Sequence, residues 1–260
     1  MSFLASSLLR AALVFLERRP VLAGVFIGCL TFKPRWRILL PVALIASRQW
    51  RAFASAAIVA TLLASASMVA FGAGAWEAFP REVVAQAGVN LSYHPDLLQL
   101  RYDPREYWGD YQTIFGLVRA LQGSAVAAWL VQGIATCGVS IIVWFVWRSP
   151  VRYSLKAATL SAAILLATPY GYSTDMNVIA IAVAFLVRDH MQSGLSRGEE
   201  LLLLAALGIS LTCNFRLVPP GPVVMMTLLG VTLHRALRQG RQLCSVGGPN
   251  APGVQSPPSS

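Results

Sequence analysis

The chain has 260 residues, of which 56% are hydrophobic and only 12% charged, against about 25% charged in an ordinary soluble domain. A mean hydropathy of +0.60 asks for more hidden apolar surface than one soluble core of this size supplies, which excludes a soluble globule and makes a bilayer the expected solvent. The formal charge of +10, from 21 Lys and Arg against 11 Asp and Glu, is then read as attraction to an anionic membrane surface and not as a nucleic-acid footprint.

Apolar runs follow one another along the chain. Ser2 to Leu16 opens it, with Arg10 inside and no small-residue cleavage site after it, so it reads as a membrane helix and not as a signal peptide. Val21 to Phe32 and Ile38 to Ser47 are short. Phe53 to Ala75 and Ser124 to Trp147 are charge-free and long enough to cross a bilayer, which takes roughly 20 residues. Ala157 to Pro169, Met176 to Val187, Leu201 to Cys213 and Val223 to Leu233 are short again. A 12-residue helix rises only about 18 Å through a hydrocarbon core of about 30 Å. Short helices joined by Gly- and Pro-containing turns at membrane depth are tolerated where they line a protein-enclosed cavity, so the pattern points to a buried site.

The expected fold is therefore all-α, a polytopic bundle of about nine membrane helices over residues 1–235, with one large outer loop over 76–123 and a disordered Pro-, Gly- and Ser-rich tail over 236–260. With the tail in the cytoplasm, the cytoplasmic loops collect Arg18, Arg19, Arg48, Arg51, Arg148, Arg152, Lys156, Arg188 and Arg197 together with the arginines of the tail. That bias supports a multi-pass protein of the plasma membrane. Residues 76–123 are mildly acidic, as suits an outer loop. The cysteines Cys29, Cys137, Cys213 and Cys244 lie too far apart for a C-x-x-C pair and read as small hydrophobes.

Three charged clusters meet the membrane on the outer side. Lys33-Pro34-Arg35-Trp36-Arg37 puts three cations at a proline turn between short helices. It could hold a lipid phosphate, lysine as a point charge and arginine as a fork, or it could be a snorkelling boundary loop with Trp36 in the aromatic belt. Thr168 to Asp175 carries the sole acidic residue between Lys156 and Arg188. An ionisable group at membrane depth marks a partner or a site by default, while Ser173, Thr174 or Asp175 could equally cap the helix beginning at Met176. Arg216, in the turn between the last two short runs, could join Lys33 and Arg35 around one anion.

The outer loop interleaves Tyr93, Tyr102, Tyr107, Trp108 and Tyr111 with Asp96, Asp103, Glu106 and Asp110, which suits either sugar stacking or an interfacial helix. His94 with Asp96 is too little for a metal site, so neither metal nor cofactor is expected. No internal repeat and no Walker, G-x-S-x-G, H-E-x-x-H or dinucleotide fingerprint is present.

The stretch RRPVLAGVFIGCLTFKPRWRILLPVALIASRQWRAF at 18–53, FGAGAWEAF at 71–79, YQTIFGLVRALQG at 111–123 with Gln132 after it, and ATPYGYSTDM at 167–176 together resemble glycosyltransferase family 87. These are bacterial polytopic enzymes of the GT-C class, described as polyprenyl-phosphate-mannose-dependent mannosyltransferases, and the resemblance covers about residues 10–235. It implies transfer of a hexosyl unit such as mannose from a polyprenyl-phosphate sugar donor to a lipid or glycan hydroxyl acceptor on the outer face, among membrane lipids and without nucleic acid. Such chemistry uses a general base and cations that stabilise the leaving phosphate.

By that resemblance Lys33 matches the lysine of a K-P-Q-like turn, with Arg35 in place of the glutamine, and Asp175 matches the aspartate of the T-P-Y block. Lys33, Arg35 and Arg216 are the expected donor-phosphate residues, and Asp175 and Tyr170 line the expected polar cavity. Members of the family are longer and carry the catalytic acid in an early outer loop, so the general base is expected in an N-terminal part outside this chain, which would be a truncated enzyme, inactive alone. The competing expectation is a non-catalytic membrane protein, a transporter of a lipid-linked sugar or a partner subunit.

Overall fold

The computed structural model describes residues 2–33, 36, 38–91, 108–194, 196–211 and 219–246. Arg35, Arg37, His94, Arg216 and the aromatic residues Tyr93, Tyr102 and Tyr107 fall outside them. Within these residues the protein is all-helical, with a lone antiparallel bridge between Tyr111 and Tyr172 in place of any strand.

The helices follow the apolar runs. They are α1 (Ser2–Phe15), α2 (Pro20–Cys29), α3 (Leu39–Ala46), α4 (Trp50–Leu91), α5 (Ile114–Ala120), α6 (Ala125–Arg148), α7 (Tyr153–Leu166), α8 (Val178–Ser193), α9 (Arg197–Leu211) and α10 (Gly221–Val246). Local chemistry sets several of the boundaries. Pro20 opens α2, where its missing N–H costs nothing. Thr113 and Ser124 cap α5 and α6, their hydroxyls accepting from Gly116 N and Ala127 N, each at 3.1 Å. At α9, Ser196 Oγ receives from Glu199 N at 3.4 Å while Glu199 Oε2 accepts from Ser196 N at 3.0 Å, a capping box legible as S-x-x-E.

Among the described residues two helices are long and apolar enough to cross a bilayer, Trp50–Ala78 within α4 and Ala125–Arg148. Of the about nine membrane helices expected, these two have the length and composition of a full span among the described residues. A helix accompanies each apolar run, but most are too short to span alone: α1 has 14 residues and α3 only 8, about 21 and 12 Å of rise. At the other extreme α10 runs on to Val246, well past the run at 223–233, because Leu233 to Val246 keeps good helix formers. The short helix α5 inside the outer-loop segment is a further addition, built around the Thr113 cap.

Gly72 breaks α4, with φ of 80° and ψ of 165°, a conformation that a side chain would resist. From Trp50 to Phe71 the uninterrupted part has 22 residues, about 33 Å of rise. The helix thus bends where it has covered the thickness of a hydrocarbon core.

The centre of the molecule is α7, with twelve of its fourteen residues buried, as its small and mostly apolar residues from Ala157 to Leu166 permit. Helices α3, α6, α8 and α10 surround it. Its small residues Ala157, Ala158, Ala162 and Ala163 are fully enclosed and allow that close approach. Thr159 and Ser161 return their hydroxyls to the carbonyls of Leu155 and Ala157 at 2.7 and 2.9 Å, so no polar atom is stranded.

On one flank α2 packs against α4 through Gly24 and Gly28. A Cβ at Gly24 would stand 2.4 Å from Ala52 O, and one at Gly28 would stand 2.6 Å from Val59 Cβ. This is a small-xxx-small contact in which bare backbone meets a neighbouring helix, and Ser55 Oγ donates across it to Val21 O at 2.8 Å. The outward faces are apolar, with Leu62, Val69, Val126, Leu130, Ile134 and Phe145 exposed, as a lipid-facing belt requires. Cys137, expected as a buried hydrophobe, is exposed on α6, and Cys29 is half-buried.

Candidate functional site

The chain turns alternate between two ends of the bundle. Ser2, the Lys33 turn, the 108–113 segment, the 168–175 loop and the start of α10 meet at one end. Gln112 fastens three of these pieces. Its backbone N donates to Gly171 O at 2.7 Å, its side-chain nitrogen to Gly109 O at 2.8 Å, and its oxygen accepts from Gly221 N at 2.9 Å. Gln132 and Thr136 of α6 close the end of α7 from below. They donate to Leu166 O and Ala167 O at 2.9 and 3.0 Å, carbonyls that a helix terminus would otherwise leave bare.

The centre of this end is an ion pair between Lys33 Nζ and Asp175 Oδ1, with side chains 9% and 0% exposed. Lys33 also donates to Ser2 Oγ at 3.0 Å, and Ser2 Oγ donates to the same Asp175 oxygen at 3.0 Å. The other oxygen, Oδ2, accepts from Tyr172 N at 3.2 Å and Asp175 N donates to Tyr172 O at 2.8 Å. Asp175 therefore holds a cation, and instead of capping a helix that begins at Met176 it reaches back to Tyr172 N within the Ser173–Asn177 turn, while Asn177 starts α8 without a side-chain cap.

Trp36 corrects one expectation. It is fully buried rather than in an interfacial belt, because its ring lies 4.4 Å from Lys33 Nζ, where the π face stabilises an ammonium removed from water. Its indole N–H is buried and has no acceptor among the described residues.

The aromatic residues of the 108–111 segment are also packed inward and not offered to a ligand. Trp108 and Tyr111 are 1% and 3% exposed. Trp108 sits 5.8 Å from Phe115 and 5.0 Å from the Arg119 guanidinium, and the Tyr111 ring lies tilted against Tyr172 at 5.1 Å. Tyr170 is half-buried against this cluster. Burial and then the neighbouring Tyr172 push its phenol above the ordinary value, so it stays a neutral hydrogen-bond donor.

Of the five expected site residues, Lys33 and Asp175 are brought together, Tyr170 lies in the adjoining aromatic cluster, and Arg35 and Arg216 fall outside the described residues. Sequence reasoning missed Ser2, Gln112 and the indole of Trp36. Ser2 and Gln112 act on residues distant in the chain, while Trp36 acts on Lys33 three residues before it.

A mostly apolar groove of about 350 Å³ lies between α2, α3 and α4, bounded by Ile27, Ile38, Leu40, Leu44, Phe53 and Ala60. At the opposite end, Asp189 is 1% exposed and binds Arg152 at 3.2 Å and Arg235 at 2.9 Å, while Arg235 also faces Glu199 at 3.6 Å. That network ties α7, α8, α9 and α10 and reads as a structural clamp.

A family model described as glycosyltransferase family 87 matches residues 1–169. The match includes Lys33 and the α2–α4 glycine contact and ends before Asp175. No curated protein and no solved structure matches the chain.

Proposed function

The chain belongs to glycosyltransferase family 87, whose members are membrane glycosyltransferases, and from that membership we propose that it serves hexosyl transfer from a polyprenyl-phosphate sugar to a hydroxyl acceptor at the outer face of the plasma membrane. The observation that carries this reading is the buried Lys33 ammonium, fixed by Asp175 and lying over the Trp36 ring.

In this reading Lys33 is the cation for the donor phosphate, with Arg35 and Arg216 as further charges. A phosphate leaving group gains negative charge as the glycosidic bond breaks, and a preorganised cation in a dry setting stabilises that charge more than water would. Asp175 has both oxygens engaged and is closed to solvent, so its role is to orient the ammonium, not to take a proton from the acceptor. The Trp36 N–H adds a donor without an acceptor among the described residues, a lack that costs about 1–3 kcal/mol and that a phosphate oxygen would recover. The groove along Ile38 and Phe53 suits the isoprenoid chain, since an unbranched apolar trough at membrane depth matches a hydrocarbon tail.

The test is transfer of radiolabel from polyprenyl-phosphate mannose to endogenous acceptors in membranes that contain the protein. Lys33→Met is expected to reduce turnover by about two orders of magnitude, the usual cost of one electrostatic donor. Near-normal turnover in that variant refutes the phosphate role.

A further inference from the structure

A second cavity opens at the end of the bundle remote from Lys33 and Asp175. It encloses about 700 Å³, within the range of about 300–1,000 Å³ typical of small-molecule sites. Three turns build it: the one after α1, the Ser47–Gln49 turn between α3 and α4, and the Ser149–Arg152 turn between α6 and α7. Its charged residues are Arg48, Arg148, Lys156 and Glu17, a net balance of two positive charges from three cations and one carboxylate.

The walls are firm. Trp147, 2% exposed, donates from Nε1 to Lys156 O at 3.0 Å and meets the Tyr153 ring edge-on at 6.0 Å. Tyr153 Oη in turn donates to Leu13 O and fixes α7 to α1. Lys156 stands half-buried at the inner wall, with the exposed Arg48 and Arg148 at the rim. Arg48 is held at φ of +56°, a left-handed conformation that a non-glycine residue adopts at a cost. Among the described residues no carboxylate lies within 4 Å of any of these three cations, Glu17 included, although it lines the same cavity. At the same end Arg152 and Arg235 are each paired with Asp189.

We propose that this cavity is an anion site for a phosphate-bearing group, separate from the donor-phosphate site at the other end. Two guanidinium forks and one ammonium converging on a polar hollow match the donor requirements of phosphate oxygens. Cationic hollows between membrane helices at the headgroup level hold lipid phosphates by the same chemistry. The phosphate comes either from an anionic lipid headgroup or from a soluble phosphate compound.

The two sources separate in one experiment on the full chain in phosphatidylcholine nanodiscs. Pyrophosphate is titrated by calorimetry, and in parallel nanodiscs with phosphatidylglycerol added, retained lipid is counted by native mass spectrometry. Each is repeated with Arg48→Gln/Arg148→Gln/Lys156→Gln and with a charge-matched control, Arg19→Gln/Arg197→Gln/Arg241→Gln. The wild type and the control should bind one probe at least about tenfold more tightly than the cavity variant, about 1.4 kcal/mol. Preference for pyrophosphate identifies a soluble ligand, and preference for phosphatidylglycerol a headgroup. Equal losses in the two triple variants, or no binding of either probe by the wild type, overturn the proposal. Should the cavity variant not yield folded protein, the exposed Arg148→Gln alone is read in the same way, with a severalfold loss expected and an unchanged affinity counting against the site.

Discussion

Breaking the Lys33–Asp175 pair from one side leaves an uncompensated charge where the surrounding side chains admit almost no water. The partners are 9% and 0% exposed, so screening does little to relieve it. Removing one member of a buried pair typically costs about 3–5 kcal/mol, while replacing both by neutral groups of similar volume is often neutral or better. Lys33→Met strands the carboxylate of Asp175. Asp175→Asn removes the carboxylate from the ammonium, which keeps the Ser2 Oγ hydrogen bond and the Trp36 face.

Each single variant is therefore expected to lower the melting temperature by about 6–20 °C, taking roughly 2–4 °C per kcal/mol for chains near this size. The double variant Lys33→Met/Asp175→Asn should melt close to the wild type. Thermal unfolding of the detergent-solubilised protein, followed by light scattering or tryptophan fluorescence, reads all four corners of the cycle. The reasoning fails if the double variant loses as much as the two singles combined, because independent losses mean that the charges are not coupled. It also fails if Lys33→Met melts within about 2 °C of the wild type, less than 1 kcal/mol on the same scale. The cycle bears on function as well, since the double variant restores the fold without restoring the cation and should remain without turnover.

The α2–α4 contact predicts a sharp dependence on position. Gly24→Ala puts a methyl 2.4 Å from a backbone oxygen that cannot rotate away and should cost about 1–3 kcal/mol of stability, whereas Gly133→Ala, with nothing within 4 Å, should be neutral or stabilising by up to about 1 kcal/mol. Equal melting temperatures for the two would refute the close approach. Burial alone would raise the carboxyl pKa of Glu199, but the two Ser196 hydrogen bonds with the Arg235 and Arg238 charges outweigh it and hold it below its ordinary value. The carboxylate therefore contributes stability that is full above the ordinary range near pH 4.3 and is lost as pH falls through the lower folded value. Glu199→Gln should lower stability at neutral pH and flatten the acid limb of the melting curve, and an acid limb identical to the wild type counts against the capping-box account.

Elements whose cause is local could be read from the sequence. The two long spans follow from charge-free length alone, as at 53–75 and 124–147, and α1 and α7 from shorter apolar runs. The turn ends could be placed because arginines and prolines interrupt the runs. The capping box at Ser196 and Glu199 is equally a matter of three-residue spacing, although it is easily passed over inside a charged loop. In the same way Lys33 and Asp175 could each be singled out, because a charge between apolar runs is conspicuous wherever it falls.

Packing decided the rest. Lys33 and Asp175 are 142 residues apart, and their pairing is dictated by the cost of burying either charge alone, a cost that exists only once α1, α2 and α8 have closed around them. Trp36, Trp108 and Tyr111 look like surface aromatics by position, yet each is buried because a cation or another ring lies against it. Gly24 and Gly28 carry no sign of their partner helix until α4 arrives at backbone distance. Periodicity, length and charge are properties of neighbours along the chain and so fix where helices start and stop, while the identity of each buried charge's partner depends on which surfaces lose water together, and that only the tertiary structure decides.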